Sequence, residues 1–171
     1  CSAPNKCDCS HGYVGADCSL ITCFGVMSNE TNVCSSRGEC IGPNMCRCST
    51  NYGGNDCSMN VCYGVMETNG SVCSGHGNCT ALNTCSCHYG YDGNDCSLTI
   101  CFGIGSDDGT VCSGHGTCKT PDNCECKFGY TGSDCSIAMC YGKESSDSTV
   151  CSGHGNCTAP NTCDCSHGYH G

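Results

Sequence analysis

The chain has 171 residues, of which 27 are cysteine and 25 glycine, with no tryptophan, three phenylalanines and a formal net charge of −10. Cysteine at this level far exceeds the ~8–10% that marks a disulfide scaffold, and large apolar side chains are too few for one hydrophobic core. The acidic balance and six scattered lysines and arginines exclude a nucleic-acid-binding face, and no apolar run reaches membrane-spanning length.

Cross-links must therefore do what burial does elsewhere, each contributing about 2–4 kcal/mol by restricting the unfolded chain. Such bonds persist in an oxidising compartment, which places the protein outside the cell or on its surface. No secretion signal is present, and the chain reads as an excerpt. Its first repeat opens at the third cysteine of the pattern, and its last stops at Gly171, before the sixth is due.

The pattern returns every 39 residues, with Cys23, Cys62, Cys101 and Cys140 opening four repeats. Fixed periodicity of this length signals a linear array of small modules. In chain order these are a partial repeat at 1–18, complete repeats at 23–57, 62–96 and 101–135, and a repeat at 140–171 that lacks its sixth cysteine. Within a complete repeat ten, five, five, one and eight residues separate successive cysteines. Six cysteines alone leave 15 connectivities open.

Three motifs accompany the cysteines: Cys-Ser-Gly-His-Gly-x-Cys at 73–79, 112–118 and 151–157, the Cys-x-Cys pairs, and Gly-Tyr-x-Gly-x-Asp-Cys at 12–18, 90–96 and 129–135. Together they resemble the EGF-like module, especially its tenascin and teneurin variety, along the whole chain. The resemblance implies tandem disulfide-rich modules with short β-hairpins around Cys-x-Cys, little or no helix, and an elongated rod. It also implies bridges from first to third, second to fourth and fifth to sixth cysteine. These would be Cys9–Cys18, then Cys23–Cys40, Cys34–Cys46 and Cys48–Cys57, then Cys62–Cys79, Cys73–Cys85 and Cys87–Cys96. Cys101–Cys118, Cys112–Cys124, Cys126–Cys135, Cys140–Cys157 and Cys151–Cys163 complete the set, leaving Cys1, Cys7 and Cys165 unpaired.

The other repeated positions have local backbone explanations. The glycines of Gly12-Tyr13-Val14-Gly15 and its copies are expected at positive φ, and Asn51, which replaces the first of them once, is the residue best able to stand in. Pro4-Asn5, Pro43-Asn44, Pro121-Asp122 and Pro160-Asn161 mark turns. The linkers Ser19–Thr22, Ser58–Val61, Ser97–Ile100 and Ser136–Met139 carry apolar residues instead of Gly/Ser. They are expected to pack against the preceding tyrosine and stiffen the junction.

Candidate chemistries are weighed against that scaffold. His76, His115 and His154 lie between cysteines, but the spacings are not zinc knuckles and Arg37 replaces the histidine once. The residues before each first cysteine lack the acidic ligands of calcium-binding EGF-like modules. No metal, cofactor or catalytic group is expected, because Ser, His and Asp recur as turn residues. Attached glycans are expected instead. Asn29, Asn69, Asn78 and Asn156 begin N-glycosylation sequons, the last two beside a cysteine whose bridge is expected to occlude them. EGF-like modules also accept O-linked sugars at positions matching Thr117 and Thr131.

The loop between the first two cysteines varies in content yet keeps its length, beginning aromatic-Gly and ending in Val. Constant length points to a constraint from outside the module, since surface loops ordinarily accept insertions. Equal repeats can present one face many times, which favours a non-enzymatic structural protein of an extracellular filament or appendage. The style of repeat is similar to that of protist mastigoneme proteins. The alternative is an adhesion or receptor ectodomain of tenascin or teneurin type. Partners are then copies of the same chain or other extracellular proteins, and the repeat 23–57, with Ser36, Arg37 and Asn51, is the atypical one.

Overall fold

Side chains alternate across a strand, so the Cys-x-Cys pair turns both sulfurs to one face while the residue between them points to solvent. In the computed structural model, which describes residues 7–170, the pairs Cys46–Cys48, Cys85–Cys87, Cys124–Cys126 and Cys163–Cys165 each lie in the second strand of an antiparallel hairpin. Gly38–Gly42 pairs with Met45–Cys48, setting Cys40 opposite Cys46. The same hairpin recurs as Gly77–Ala81 with Thr84–Cys87, Gly116–Thr120 with Asn123–Cys126, and Gly155–Ala159 with Thr162–Cys165. At the hairpin turns Asn44, Asn83, Asp122 and Asn161 take φ between 48° and 56°, a left-handed conformation that Asn and Asp tolerate best.

The linkers are strands. Leu20–Cys23 is the middle strand of a three-stranded sheet, with Tyr13–Val14 on one side and Val26–Met27 on the other. Its second hairpin turns through Phe24-Gly25, both at positive φ (52° and 83°), the geometry of a two-residue hairpin loop. Equivalent sheets centre on Met59–Cys62, Leu98–Cys101 and Ile137–Cys140. Each therefore ties the tyrosine of one repeat to the first loop of the next.

Between sheet and hairpin runs a single tight turn: Val33–Ser36, Val72–Gly75, Val111–Gly114 and Val150–Gly153. Its cysteine and serine adopt left-handed φ, and glycine supplies the third such residue except at Ser36, where φ is 60°. Among the described residues these turns are the nearest approach to helix, and none is long or apolar enough to cross a membrane.

By contacts the chain divides into two compact units, Cys1–Cys87 and His88–Gly171. In the first, Cys23, Val33, Cys34, Cys40 and Cys57 form a buried cluster with Ile21, Val26 and Tyr52 packed against it. In the second, Cys101, Val111, Cys112, Cys118 and Cys135 form the equivalent cluster with Ile104 and Tyr130, and a further cluster holds Ala138, Cys140, Val150 and Cys157. The valine ending each first loop is thus core, between 4% and 8% exposed.

That loop also corrects an inference from its fixed length. Ser28 N–H donates to Ile21 C=O, Glu30 to Met27 and Val33 to Glu30, and the same three bonds recur in the repeats opening at Cys62, Cys101 and Cys140. An inserted residue would break this chain of turns or withdraw the buried valine. The constraint is internal, so loop length carries no information about a neighbour.

Candidate functional site

The bridges come first, because they place everything else. Cys23–Cys40, Cys34–Cys46, Cys48–Cys57, Cys62–Cys79 and Cys73–Cys85 join the repeats of the first compact unit, following Cys9–Cys18. Cys101–Cys118, Cys112–Cys124, Cys126–Cys135, Cys140–Cys157 and Cys151–Cys163 do so in the second. Cys87 and Cys96 are likewise disulfide-bonded. Among the described residues Cys165 is the free cysteine.

One expectation fails. Cys7 is disulfide-bonded, not unpaired. The pairing rule of a complete repeat leaves it without a partner, whereas a bridge needs only a second sulfur at bonding geometry. Cys1 and the Pro4–Asn5 turn lie outside the described residues.

The sulfurs of Cys101, Cys112 and Cys124 lie within 4.8 Å of one another, as do those of Cys23, Cys34 and Cys46 and of the two equivalent trios. This proximity comes from two bridges meeting in one core. A disulfide sulfur is not the thiolate that binds a metal, so the trios are cross-links.

The histidine of Cys-Ser-Gly-His-Gly has a role that sequence reasoning missed. His115 stacks on Tyr130 with ring centroids 3.8 Å apart and planes 9° from parallel. His154 stacks on Tyr169 at 3.9 Å and 8°. Where arginine replaces histidine, the Arg37 guanidinium carbon lies 4.7 Å above the Tyr52 ring, and Arg37 Nη1 donates to Ser58 C=O at 2.9 Å. Histidine and arginine share only a flat, cationic or hydrogen-bonding group. That substitution opposite a constant tyrosine was the available signal.

The aspartates of Asp-Cys-Ser are equally local. Ser19 N–H donates to Asp17 Oδ1 at 3.1 Å and its hydroxyl does so at 2.7 Å. The serine hydroxyl and then its backbone N–H hold the carboxyl groups of Asp17, Asp56, Asp95 and Asp134 below the usual range. Asp108 and Asp147 are lowered chiefly by the backbone N–H, then the hydroxyl, of Thr110 and Thr149. Perturbed carboxylates often mark active sites, but each of these shifts comes from a turn. The recurring Ser and Asp bind each other while His115 and His154 bind tyrosine.

The sugar candidates Asn29, Asn69, Asn78, Asn156 and Thr117 are all exposed, and Thr131 is half-buried. For Asn78 and Asn156 this corrects the expected occlusion. Strand alternation turns their cysteine neighbours inward and the asparagines outward. Asn69 Oδ1 already accepts bonds from the Ser71 N–H and hydroxyl.

At the junctions the linker contacts are more specific than packing on tyrosine. Ile21 lies opposite Tyr13 and Ala138, 7% exposed, opposite Tyr130, but Asn60 and Thr99 occupy the corresponding place opposite Tyr52 and Tyr91. The second linker residue covers the second glycine of the motif instead. Leu20, Met59, Leu98 and Ile137 lie 3.3–3.8 Å from where a side chain on Gly15, Gly54, Gly93 or Gly132 would begin. A family model described as a teneurin-like EGF domain matches residues 110–138. That stretch carries the bridges of Cys112 and Cys126, the stack of His115 on Tyr130, and the linker through Ala138.

That match, together with the disulfide-rich hairpin units that recur along the chain, supports an array of EGF-like repeats. No curated protein matches it. Arrays of this kind are extracellular structural or adhesive modules, are typically non-enzymatic, and fit the density of disulfides in this chain.

What remains for partners is the surface. Phe24, Tyr63, Phe102 and Tyr141 occupy the same two-residue turn in successive repeats and are 48%, 49%, 47% and 75% exposed. Their backbone N–H groups are held by Asn44, Asn83, Asp122 and Asn161 at 2.7–2.8 Å, so each ring stands on a fixed turn. In the repeat 23–57 the ring of Phe24 lines an open groove with Ile41, Asn44 and Met45. The places of Ile41 and Met45 are taken by Thr80 and Thr84, Lys119 and Asn123, and Thr158 and Thr162 in later repeats.

Proposed function

We propose that this array is a secreted, non-enzymatic structural protein of an extracellular filament or appendage, of the mastigoneme kind. Its repeats self-associate or bind other extracellular proteins through equivalent positions and carry glycans on their exposed faces. The observation that supports this reading is the recurrence of Phe24, Tyr63, Phe102 and Tyr141, 47–75% exposed, on equivalent hydrogen-bonded turns. A contact repeated along the chain gains affinity from each additional copy, and an aromatic ring at the same place in every repeat supplies such a contact.

A second reading, an adhesion or receptor ectodomain of tenascin or teneurin type, is favoured by the groove of Phe24, Ile41 and Met45 in one repeat. Electron microscopy of the purified oxidised chain separates the two. Alanine at Tyr63, Phe102 and Tyr141, leaving Phe24 in place, is expected to shorten or abolish filaments in proportion to the number of rings removed. Discrete particles in place of filaments, with binding to another extracellular protein lost on Ile41→Thr/Met45→Thr and kept in the triple alanine variant, would overturn the first reading in favour of the second.

A further inference from the structure

The first glycine of Gly-Tyr-x-Gly faces the hairpin turn of the following repeat. A side-chain carbon at Gly12 would stand 2.3 Å from Pro43 Cβ and 2.7 Å from its Cγ. At Gly90 the corresponding distances to Pro121 are 2.3 and 2.5 Å, and at Gly129 to Pro160 they are 2.5 and 2.7 Å. Real side chains do not approach so closely. The positive φ at these glycines, 82–90°, is thus only half of what the position demands. The other half is that nothing project toward the proline ring, which cannot rotate aside because it is closed onto its own backbone.

The array contains its own natural substitution. Asn51 occupies the glycine position of the repeat 23–57 at φ 68°, and the facing turn of the next repeat has Leu82 where the others have proline. Asparagine therefore occurs at the one junction from which the ring is absent. The backbone registers the difference. At every junction the fourth linker residue donates to the glycine or asparagine carbonyl at 2.8–2.9 Å: Thr22 to Gly12, Val61 to Asn51, Ile100 to Gly90 and Met139 to Gly129. The linker carbonyl then accepts from the turn. Asn44 N–H to Thr22, Asp122 to Ile100 and Asn161 to Met139 span 3.0, 3.2 and 3.0 Å, but Asn83 to Val61 spans 3.5 Å. The bond to the preceding repeat is unchanged and the bond to the following turn is lengthened. A side chain at position 51 would have this effect.

We infer that each junction is set by a matched pair, Gly with Pro or Asn with Leu, and that the Asn51–Leu82 junction is the compliant one of the four. The pair does two jobs. Gly–Pro seats the next repeat's turn against the preceding motif and closes the hydrogen-bonded ladder across the linker. Asn–Leu lengthens that ladder's outer rung, so motion between neighbouring repeats concentrates there. The pairing is independent of any assembly and of any partner.

Reciprocal exchanges test it, read by amide hydrogen exchange at the turn residues Asp122 and Asn83. Gly90→Asn alone is expected to speed exchange at Asp122 by roughly tenfold, and adding Pro121→Leu should restore most of it, the non-additivity that contacting residues show. In the other direction, Leu82→Pro alone should disturb Asn83, while Asn51→Gly/Leu82→Pro should slow its exchange below the unmodified level, toward that of Asp122. Gly90→Ala separates the clash from φ, since it brings the same Cβ contact with a larger positive-φ cost; Pro121→Leu should recover the part due to the clash and leave the part due to φ. If the single changes at 90 and 121 simply add, or if Asn83 in the unmodified chain exchanges no faster than Asn44, Asp122 and Asn161, the matched pair is wrong. Retention of the native pairings in every variant, checked by peptide mapping without reduction, excludes disulfide scrambling as the cause of a loss.

Discussion

Replacing His115 separately by alanine and by arginine isolates what its ring contributes. The ring lies parallel to Tyr130 at 3.8 Å, while the His115 carbonyl accepts the Lys127 N–H at 2.7 Å, a bond neither substitution removes. An aromatic pair contributes about 0.5–1.5 kcal/mol beyond its buried area, and a cation over an exposed ring about 0.5–1 kcal/mol. His115 and Tyr130 are both half-buried, so alanine should cost about 1 kcal/mol, near the middle of the first range. Arginine should cost much less, because Arg37 adopts that geometry over Tyr52 at 4.7 Å. A loss of about 1 kcal/mol appears as roughly fivefold faster exchange of protected amides. The amides to follow are Lys127 and Tyr130, the latter bonded to Lys127 C=O at 3.1 Å. In a double-mutant cycle with Tyr130→Leu the coupling should equal most of the single-site loss. The reasoning fails if arginine is as damaging as alanine, or if the two changes add to within about 0.3 kcal/mol.

Three further outcomes follow from the same geometry. Ser36→Gly should stabilise the repeat 23–57 by about 0.5–1 kcal/mol in denaturant titration, since a left-handed non-glycine residue costs about 1–2 kcal/mol and glycine returns about 0.5–1 kcal/mol of that as entropy; a loss would show that Ser36 makes a contact worth more than its strain. The Ser136 amide, which donates to Asp134 at 3.1 Å, should titrate in NMR with a midpoint below the ordinary carboxylate value. Because folding lowers that pKa, the associated stability is fully present above the unfolded value and disappears as pH falls through the folded one, so a midpoint at or above the ordinary value refutes the turn. Alkylation without reduction should label Cys165 and leave Cys101 and Cys118 unmodified; label at either of the latter contradicts the bridge between them.

Much of the scaffold was legible because it is local. A cysteine period, a proline–asparagine turn or a glycine at positive φ is a property of a few neighbouring residues, and these positions appear in the structure where the residue types place them. Asn51, expected as the residue best able to replace a left-handed glycine, has φ 68°. The pairing of bridges was different, since spacing left it open and only the family likeness supplied it. Where that likeness was applied to an incomplete repeat, at Cys7, it failed.

The one-dimensional chain determined that this protein would be a sulfur-stapled array with a fixed step, because the number of cysteines and the scarcity of apolar side chains leave no other way to hold short repeats together. Three matters waited for the tertiary fold: that the linkers are central strands, that His115 belongs to Tyr130, and that Gly90 exists for Pro121. The last two join residues 15 and 31 positions apart, and all three depend on a strand register that must first be chosen. Local chemistry cannot choose it, since a shift of one residue would present the opposite face of every strand.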